Sequence, residues 1–252
     1  METKWYAVLQ ASQIAEDLIC FNKEDSAETC FEELETNGFD VAGVRDKSGA
    51  VIGYVKKAEL NDHQTCDEAT TIFLLGELAP GDMPLVNLFH KLAVEREYVF
   101  LLGHHGVQRI LTRADLRKQP VKAMLYSLVC ELEHTLSNEV KSAGIDIGAC
   151  LTEDRLGAAR KLQAERKKRR EELGLVEYLQ LCDKLTLLFK ADLLGEWFNS
   201  GTSMRKWAGR LQALRNNLAH AHDPDNGIEW SEIAKIVKDT LEMQTYFSAE
   251  RN

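Results

Sequence analysis

Two kinds of apolar patterning divide the chain near residue 118. Before it, short apolar runs alternate with amphipathic stretches; after it, helical periodicity continues to the end. In the first half the spacing predicts a helix over Glu28–Asn37, with Phe31 and Leu34 on its apolar side and Asn37-Gly38 as its stop. Phe39–Val44 and Ala50–Val55 read as strands around the turn Asp46–Gly49, so the pair predicts a hairpin. Lys56–Leu60 then opens a short helix. The same order returns about 57 residues later. Pro84–Glu95 is amphipathic through Leu85, Leu88, Phe89 and Leu92, with Asp82 as the expected cap. Glu97–Leu102 and Val107–Leu111 read as strands flanking Gly103–Gly106, and Thr112–Leu116 starts a helix. His104 and His105 fall in that turn, where solvent is their expected surrounding. The first half therefore carries an internal repeat of helix, strand, turn, strand and helix.

From residue 118 onward the alternation stops. Val121–Lys141 predicts one long helix, apolar at Val121, Leu125, Leu128, Val129, Leu132 and Leu136, and ended by Ser142–Gly144. A second helix is expected from a Thr152 cap to about Leu173, and a third over Leu175–Leu188. Ser203–Ala221 and Ser231–Phe247, the latter capped by Ser231, complete a bundle of about five helices. Trp197, Phe198 and Trp207 are expected in its core. The predicted fold class is thus α+β followed by an all-α bundle, with domains at 1–118 and 119–252.

Composition narrows this picture. The chain has 252 residues, 44% hydrophobic and 28% charged, which excludes a disordered polymer. No apolar run approaches the roughly 20 residues of a membrane helix. The first residues, METKWYAVLQ, lack a basic-then-apolar leader, so a cytoplasmic protein without membrane partners is expected. The net charge of −9 argues at first against nucleic acid. Yet residues 1–117 hold 11 Lys and Arg against 20 Asp and Glu, while residues 118–252 hold 20 against 20. The acidic excess belongs to the first half, and a nucleic-acid site remains compatible with the second. The cysteines lie ten or more residues apart, and the histidines lack paired-ligand spacing, so no structural metal is expected.

Aligned, GFDVAGVRDKSGAVIGYVKKAEL at 38–60 and EYVFLLGHHGVQRILTRADL at 97–116 resemble two cystathionine-β-synthase-type (CBS) domains, a family that occurs in tandem pairs. The resemblance covers roughly residues 5–118. It implies two sheets packed together and clefts that bind an adenine nucleotide such as ATP, AMP or a related signalling nucleotide. In the family a Ser/Thr-x-x-Asp motif opens the last helix, its hydroxyl meeting phosphate and its carboxylate the ribose diol. The second repeat supplies Thr112 and Asp115, and the first has Lys56 and Glu59 in their place. Helix N-terminal N–H groups suit phosphate, and a carboxylate can accept from two hydroxyls. Thr112 and Asp115 equally fit an ordinary capping box.

In the second half, Leu211–His220 contains Arg215, Asn216 and His220 in the order Arg-Asn-x-x-x-His. This resembles the HEPN family, helical domains that are often metal-independent ribonucleases; the resemblance covers about 120–248. Metal-free cleavage of RNA needs a proton acceptor for the 2′-OH, a proton donor for the leaving oxygen and a cation for phosphorus-bound charge. His220 suits proton transfer. Arg215 suits the phosphate, and Asn216 could position either. Five residues turn a helix through about 500°, leaving Arg215 and His220 about 140° apart. The family resemblance implies a homodimer in which two motifs share one cleft. The helix dipole also favours Arg and His near a C-terminus without any catalysis. The family's occasional tyrosine two residues after the histidine is His222 here, which argues against control by tyrosine modification.

Arg160–Arg170 holds seven basic residues in eleven. Arg166, Lys167, Lys168, Arg169 and Arg170 form either a solvated face or an RNA-backbone contact. Taken together, the sequence suggests a metal-independent RNA endonuclease controlled by an adenine nucleotide, of the kind used in stress or phage defence. The alternatives are a non-catalytic nucleotide sensor whose helical domain binds RNA or a protein, and a CBS pair acting only as a dimerisation scaffold.

Overall fold

A computed structural model describes residues 5–170 and 173–249 of the chain. The chain forms two compact units, one through Pro120 and one from Val121. In the first, strands β1 (Glu16–Asp17) and β2 (Cys20–Asn22) precede helix α1 (Ala27–Asn37). Ala27, Cys30 and Leu34, spaced three and four apart, are at most 1% exposed and give α1 its buried stripe. Gly38 closes the helix at φ 68°, its N–H reaching the carbonyls of Leu34 and Glu35, a conformation that glycine adopts without a Cβ penalty. Strands β3 (Val41–Arg45) and β4 (Val51–Lys56) form the expected hairpin, and α2 (Lys57–Leu60) and α3 (Cys66–Ala69) follow.

The second repeat supplies β5 (Leu78–Pro80), then α4 (Leu85–His90), which continues as one π-helical turn through Glu95. Strands β6 (Tyr98–Gly103) and β7 (Gly106–Thr112) make its hairpin, and a 3₁₀ turn, Arg113–Arg117, ends it. Asp82 does not cap α4. The capping position is Pro84, which has no side-chain donor or acceptor to offer.

The two repeats share topology down to register. In each, a short first strand runs parallel to the second, and the second pairs antiparallel with the third: β2-β3-β4 and β5-β6-β7. Val41 faces Lys56, and Tyr98 faces Thr112. Each hairpin has a register shift at the same place, between Val44 and Arg45 and between Leu101 and Leu102. A bulge sharpens local twist, and its repetition means that both hairpins coil alike. The outer edge of each last strand is also covered: β1 pairs with β7, and Thr71 bridges to Tyr54 on β4. Leu18, Val41, Tyr54, Phe100 and Val107 form one buried cluster that draws on both repeats, with Phe73 and Tyr98 packed against it. A second cluster lies between α1 and the first sheet and includes Leu34, Val44, Val55 and Leu60. Each such fully buried aliphatic side chain contributes about 1.5–3 kcal/mol. The thiols of Cys30 and Cys66 meet in that cluster at 2.9 Å.

The second unit is helical: α5 (Gln119–Ser142), α6 (Ile147–Cys150), α7 (Glu153–Lys167), α8 (Leu181–Lys190), α9 (Gly201–Ala219) and α10 (Trp230–Ala249). The six apolar positions expected on the first long helix are at most 2% exposed. Three expectations need correction. Helix α7 stops at Lys167 rather than near Leu173, since only Leu156 and Ala159 on it are buried and Arg170 turns at φ 64°. The helix expected over Leu175–Leu188 is a 3₁₀ turn, Leu175–Tyr178, followed by α8, with the Asp183 carboxylate accepting the Gln180 N–H at the new start. Ser231 is not the cap of α10, which begins one residue earlier. Phe198 and Trp207 are buried as expected, and Trp197 packs edge-on to Tyr246.

Candidate functional site

In the N-terminal unit, Thr112 ends β7 and Asp115 lies in the 3₁₀ turn that follows. The side chain of Asp115 is 6% exposed. Its Oδ2 accepts from both the Thr112 N–H, at 2.6 Å, and the Thr112 hydroxyl, at 2.9 Å. Its Oδ1 accepts from Lys118 Nζ at 2.7 Å. Lys118 also donates to the Ile14 carbonyl, at 2.6 Å, and to Glu16. Burial alone would pull the Lys118 ammonium down, but its hydrogen bonds to Asp115 and Glu16 outweigh this and hold it above the usual lysine range. Both carboxylate oxygens and all three ammonium protons are thus engaged. The cation at Lys118 was missed in the sequence because its partners are three and about a hundred residues away.

The equivalent place in the first repeat is Lys56 and Glu59. They too are bonded across three residues, Nζ to Oε1 at 2.9 Å, but remain 39% and 46% exposed. The bond to Glu59, working against a smaller burial effect, raises the Lys56 ammonium. A cavity of about 420 Å³ in this unit is lined at the other end of the second hairpin by Ser12, Gly81, Asp82, Gly103, Gln108 and Arg109. Neither Thr112 nor Asp115 lines it.

In the helical unit, Arg215, Asn216 and His220 occupy the last turn and C-cap of α9. Ser200 starts the helix by accepting the Ser203 N–H at 3.2 Å. Arg215 is 40% exposed and turns toward Glu133 on α5, Nη2 to Oε2 at 3.9 Å. The other oxygen of Glu133 accepts from Lys184 of α8 at 3.1 Å, an ammonium only 3% exposed. Glu133 thereby links a buried cation to a half-exposed one. Asn216 is exposed and accepts from Gln212 at 3.0 Å. His220 is exposed, with its ring 6.1 Å from that of His222. No hydrogen bond joins the Arg215, Asn216 and His220 side chains to one another among the described residues.

The turn that carries His220 is held from several sides. Ala221 sits at φ 58°, where a non-glycine residue is strained. Its carbonyl accepts from Lys122 at 3.4 Å, and Lys122 pairs with Asp223 at 2.8 Å. The His222 N–H returns to the Asn217 carbonyl at 2.9 Å, and the Asn217 amide donates to the Asn226 carbonyl at 2.8 Å. Glu133, Lys184, Lys122 and Asn217 were not singled out from the sequence. Lys184, a charged residue between Leu181 and Leu185 on an apolar helix face, was the one available signal.

Arg166 to Arg170 are all exposed, at the end of α7 and in the turn beyond it. No cluster of three or more metal-ligating side chains occurs among the described residues, and none of their helices is long and apolar enough to cross a membrane.

No protein-family model matches the chain, and no curated protein matches it in sequence. Solved structures similar to it include the CBS domains of a transcriptional regulator from Streptococcus pneumoniae. That alignment has 16% identity and a TM-score of 0.38, and covers 43% of this chain and 97% of that one. An uncharacterized conserved protein from Pyrococcus horikoshii aligns at 16% identity and a TM-score of 0.38, over 44% and 90%. The CBS domain of a bacterial CNNM/CorC-family Mg²⁺ transporter, solved in complex with ATP, aligns at 13% identity and a TM-score of 0.39, over 46% and 89%.

Proposed function

We propose that the protein is a metal-independent RNA endonuclease of HEPN type whose activity is set by an adenine nucleotide held in a CBS-type module. The observation that carries the nuclease reading is the Arg215-Asn216…His220 set at the end of α9, with Asn216 and His220 exposed and Arg215 half-exposed, beside a turn fastened by Lys122 and Asn217. His220 would move the proton, Arg215 would meet the phosphate charge, and Asn216 would position one or the other. Because the three side chains are not joined within one chain, the complete site is assigned to a homodimer with two motifs in one cleft. Arg166–Arg170 would steer the RNA backbone toward it. The nucleotide reading rests on the two repeats and on Thr112 and Asp115 at the start of the 3₁₀ turn that ends the second, with Glu59 as the weaker counterpart. Such an arrangement would suit a stress or phage-defence effector.

Incubation of labelled RNA with the pure protein tests the reading. Cleavage should survive EDTA and leave 2′,3′-cyclic phosphate, since the attacking group is the neighbouring 2′-OH. Arg215→Ala and His220→Ala should each lose about 10²–10⁴-fold, and Asn216→Ala less. Cleavage that requires Mg²⁺ and leaves 5′-phosphates would overturn it. The attraction of Arg215 to Glu133 favours one second reading, a non-catalytic sensor whose helical unit binds RNA or a protein partner. Wild-type protein that binds RNA without cleaving it, with or without nucleotide, selects that reading.

A further inference from the structure

We infer that Lys118 is a built-in competitor for the Asp115 carboxylate, so that a nucleotide must evict the residue leading into α5 before its ribose can bind. This inference rests on the nucleotide reading above and names how that site is regulated. Asp115 is nearly sealed, and its oxygens already hold three protons, one from the Lys118 ammonium and two from Thr112. A ribose diol brings two hydroxyl donors to the same two oxygens. The exchange is therefore one for one. One ribose hydroxyl takes the place of the Lys118 N–H on Oδ1, and the other takes the place of the Thr112 hydroxyl on Oδ2. The Thr112 hydroxyl proton is then free to meet a phosphate oxygen. Lys118 leaves with two of its three partners, the Ile14 carbonyl and Glu16, so its own charge stays paired, and the ribose hydroxyls take over the buried Asp115 carboxylate.

The placement gives the exchange a consequence. Lys118 is the C-cap of the 3₁₀ turn, its N–H bonded to the Asp115 carbonyl at 3.0 Å, and α5 opens at the next residue. The same side chain ties the turn to the segment at Ile14 and Glu16 that leads into β1 and β1's pairing with β7. Breaking the Asp115 contact loosens a side chain that joins the 3₁₀ turn after β7 to the segment at Ile14 and Glu16. The first repeat has no equivalent, because Lys56 stands at the Thr112 position and its partner Glu59 is open to solvent.

The test is calorimetric titration of the full-length protein with ATP, adenosine and 2′,3′-dideoxy-ATP. Lys118→Met should tighten ATP and adenosine by about tenfold, equivalent to about 1.4 kcal/mol, although it removes a positive charge. Dideoxy-ATP has no diol to offer Asp115, so its affinity should not rise. Glu16→Gln, a mostly exposed change, removes a partner that Lys118 keeps on leaving Asp115, so it should weaken adenosine by a small factor; this variant preserves the test if Lys118→Met unfolds. Binding of ATP by Lys118→Met but not by wild type also supports the lock. Wild-type binding that Lys118→Met leaves unchanged or weakens overturns the lock alone. Binding by neither protein overturns the nucleotide reading, and the lock with it.

Discussion

The two repeats of the N-terminal unit have the same strand order, the same hairpin register and the same bulge, yet they treat the start of their last helix differently. In the first, a lysine and a glutamate meet at the surface. In the second, a threonine and an aspartate meet under cover, and the lysine that caps the following turn joins them. The backbone is set by apolar positions that both repeats share. The chemistry is set by what else packs against the helix start, and there the repeats have diverged. A shared scaffold thus gives one place that can answer to a ligand by exchanging partners and one that can only be screened by water.

The sharpest check of the shared scaffold is a matched pair of core truncations. Leu60 and Leu116 hold equivalent positions and are both fully buried. Leu60→Ala and Leu116→Ala should each cost about 2–5 kcal/mol in denaturant unfolding, and by similar amounts. A large inequality would mean that the repeats share topology without sharing packing. The helix starts should then differ. Asp115→Ala leaves two partly buried Thr112 donors without their acceptor and costs Lys118 one of its three partners, and should cost about 1–3 kcal/mol. Glu59→Ala, which removes one partner of an exposed pair, should cost less than about 1 kcal/mol. Equal costs would erase the contrast.

The two repeats also differ at an equivalent position on their last strands, Gly53 in the first and Arg109 in the second. A Cβ at Gly53 would lie 2.6 Å from the Thr71 carbonyl oxygen, because the inter-repeat segment crosses there. At Arg109 the side chain instead reaches out to Asp17 and the Ser12 carbonyl. Gly53→Ala should therefore destabilise by about 1–3 kcal/mol, while Arg109→Ala should cost less; thermal melts of the two variants decide.

The smallest effect is alkaline. Both Lys118 and Lys56 titrate above the usual lysine range in the folded protein. A group raised by folding adds stability that is complete below its unfolded value and vanishes as pH rises through the folded one. Melting temperatures should thus fall more between pH 10 and pH 12 in wild type than in Lys118→Met, since the loss begins near the unfolded lysine value of about 10.4. The same difference should be smaller for Lys56→Met. After allowance for solvent screening each difference should stay within about 1 kcal/mol. A reversed order would place the stronger charge pairing in the first repeat.

Much of this architecture was legible in one dimension. Alternating and helical periodicities placed the two hairpins, α1, α4, α5 and α9 close to their observed positions, because burial of a stripe or a face constrains local spacing. Where burial is thin, the reading failed: α7 was overextended because its last turns carry charge rather than core residues, and α8 was merged with a 3₁₀ turn. Helix starts decided by a single side chain, at Asp82 and Ser231, also could not be told from composition. The motif residues themselves, Thr112, Asp115, Arg215, Asn216 and His220, were visible as patterns of chemical type at fixed spacing.

What tertiary structure alone decided is the set of partners those residues meet. Lys118 reaches Glu16 across about a hundred residues, and Glu133 joins Lys184 and Arg215 from three different helices. Periodicity reports which side of an element is buried, since that depends on neighbours three or four residues away. It does not report which charge will stand opposite, since electrostatic and hydrogen-bond partners are chosen by the packing of distant segments in space.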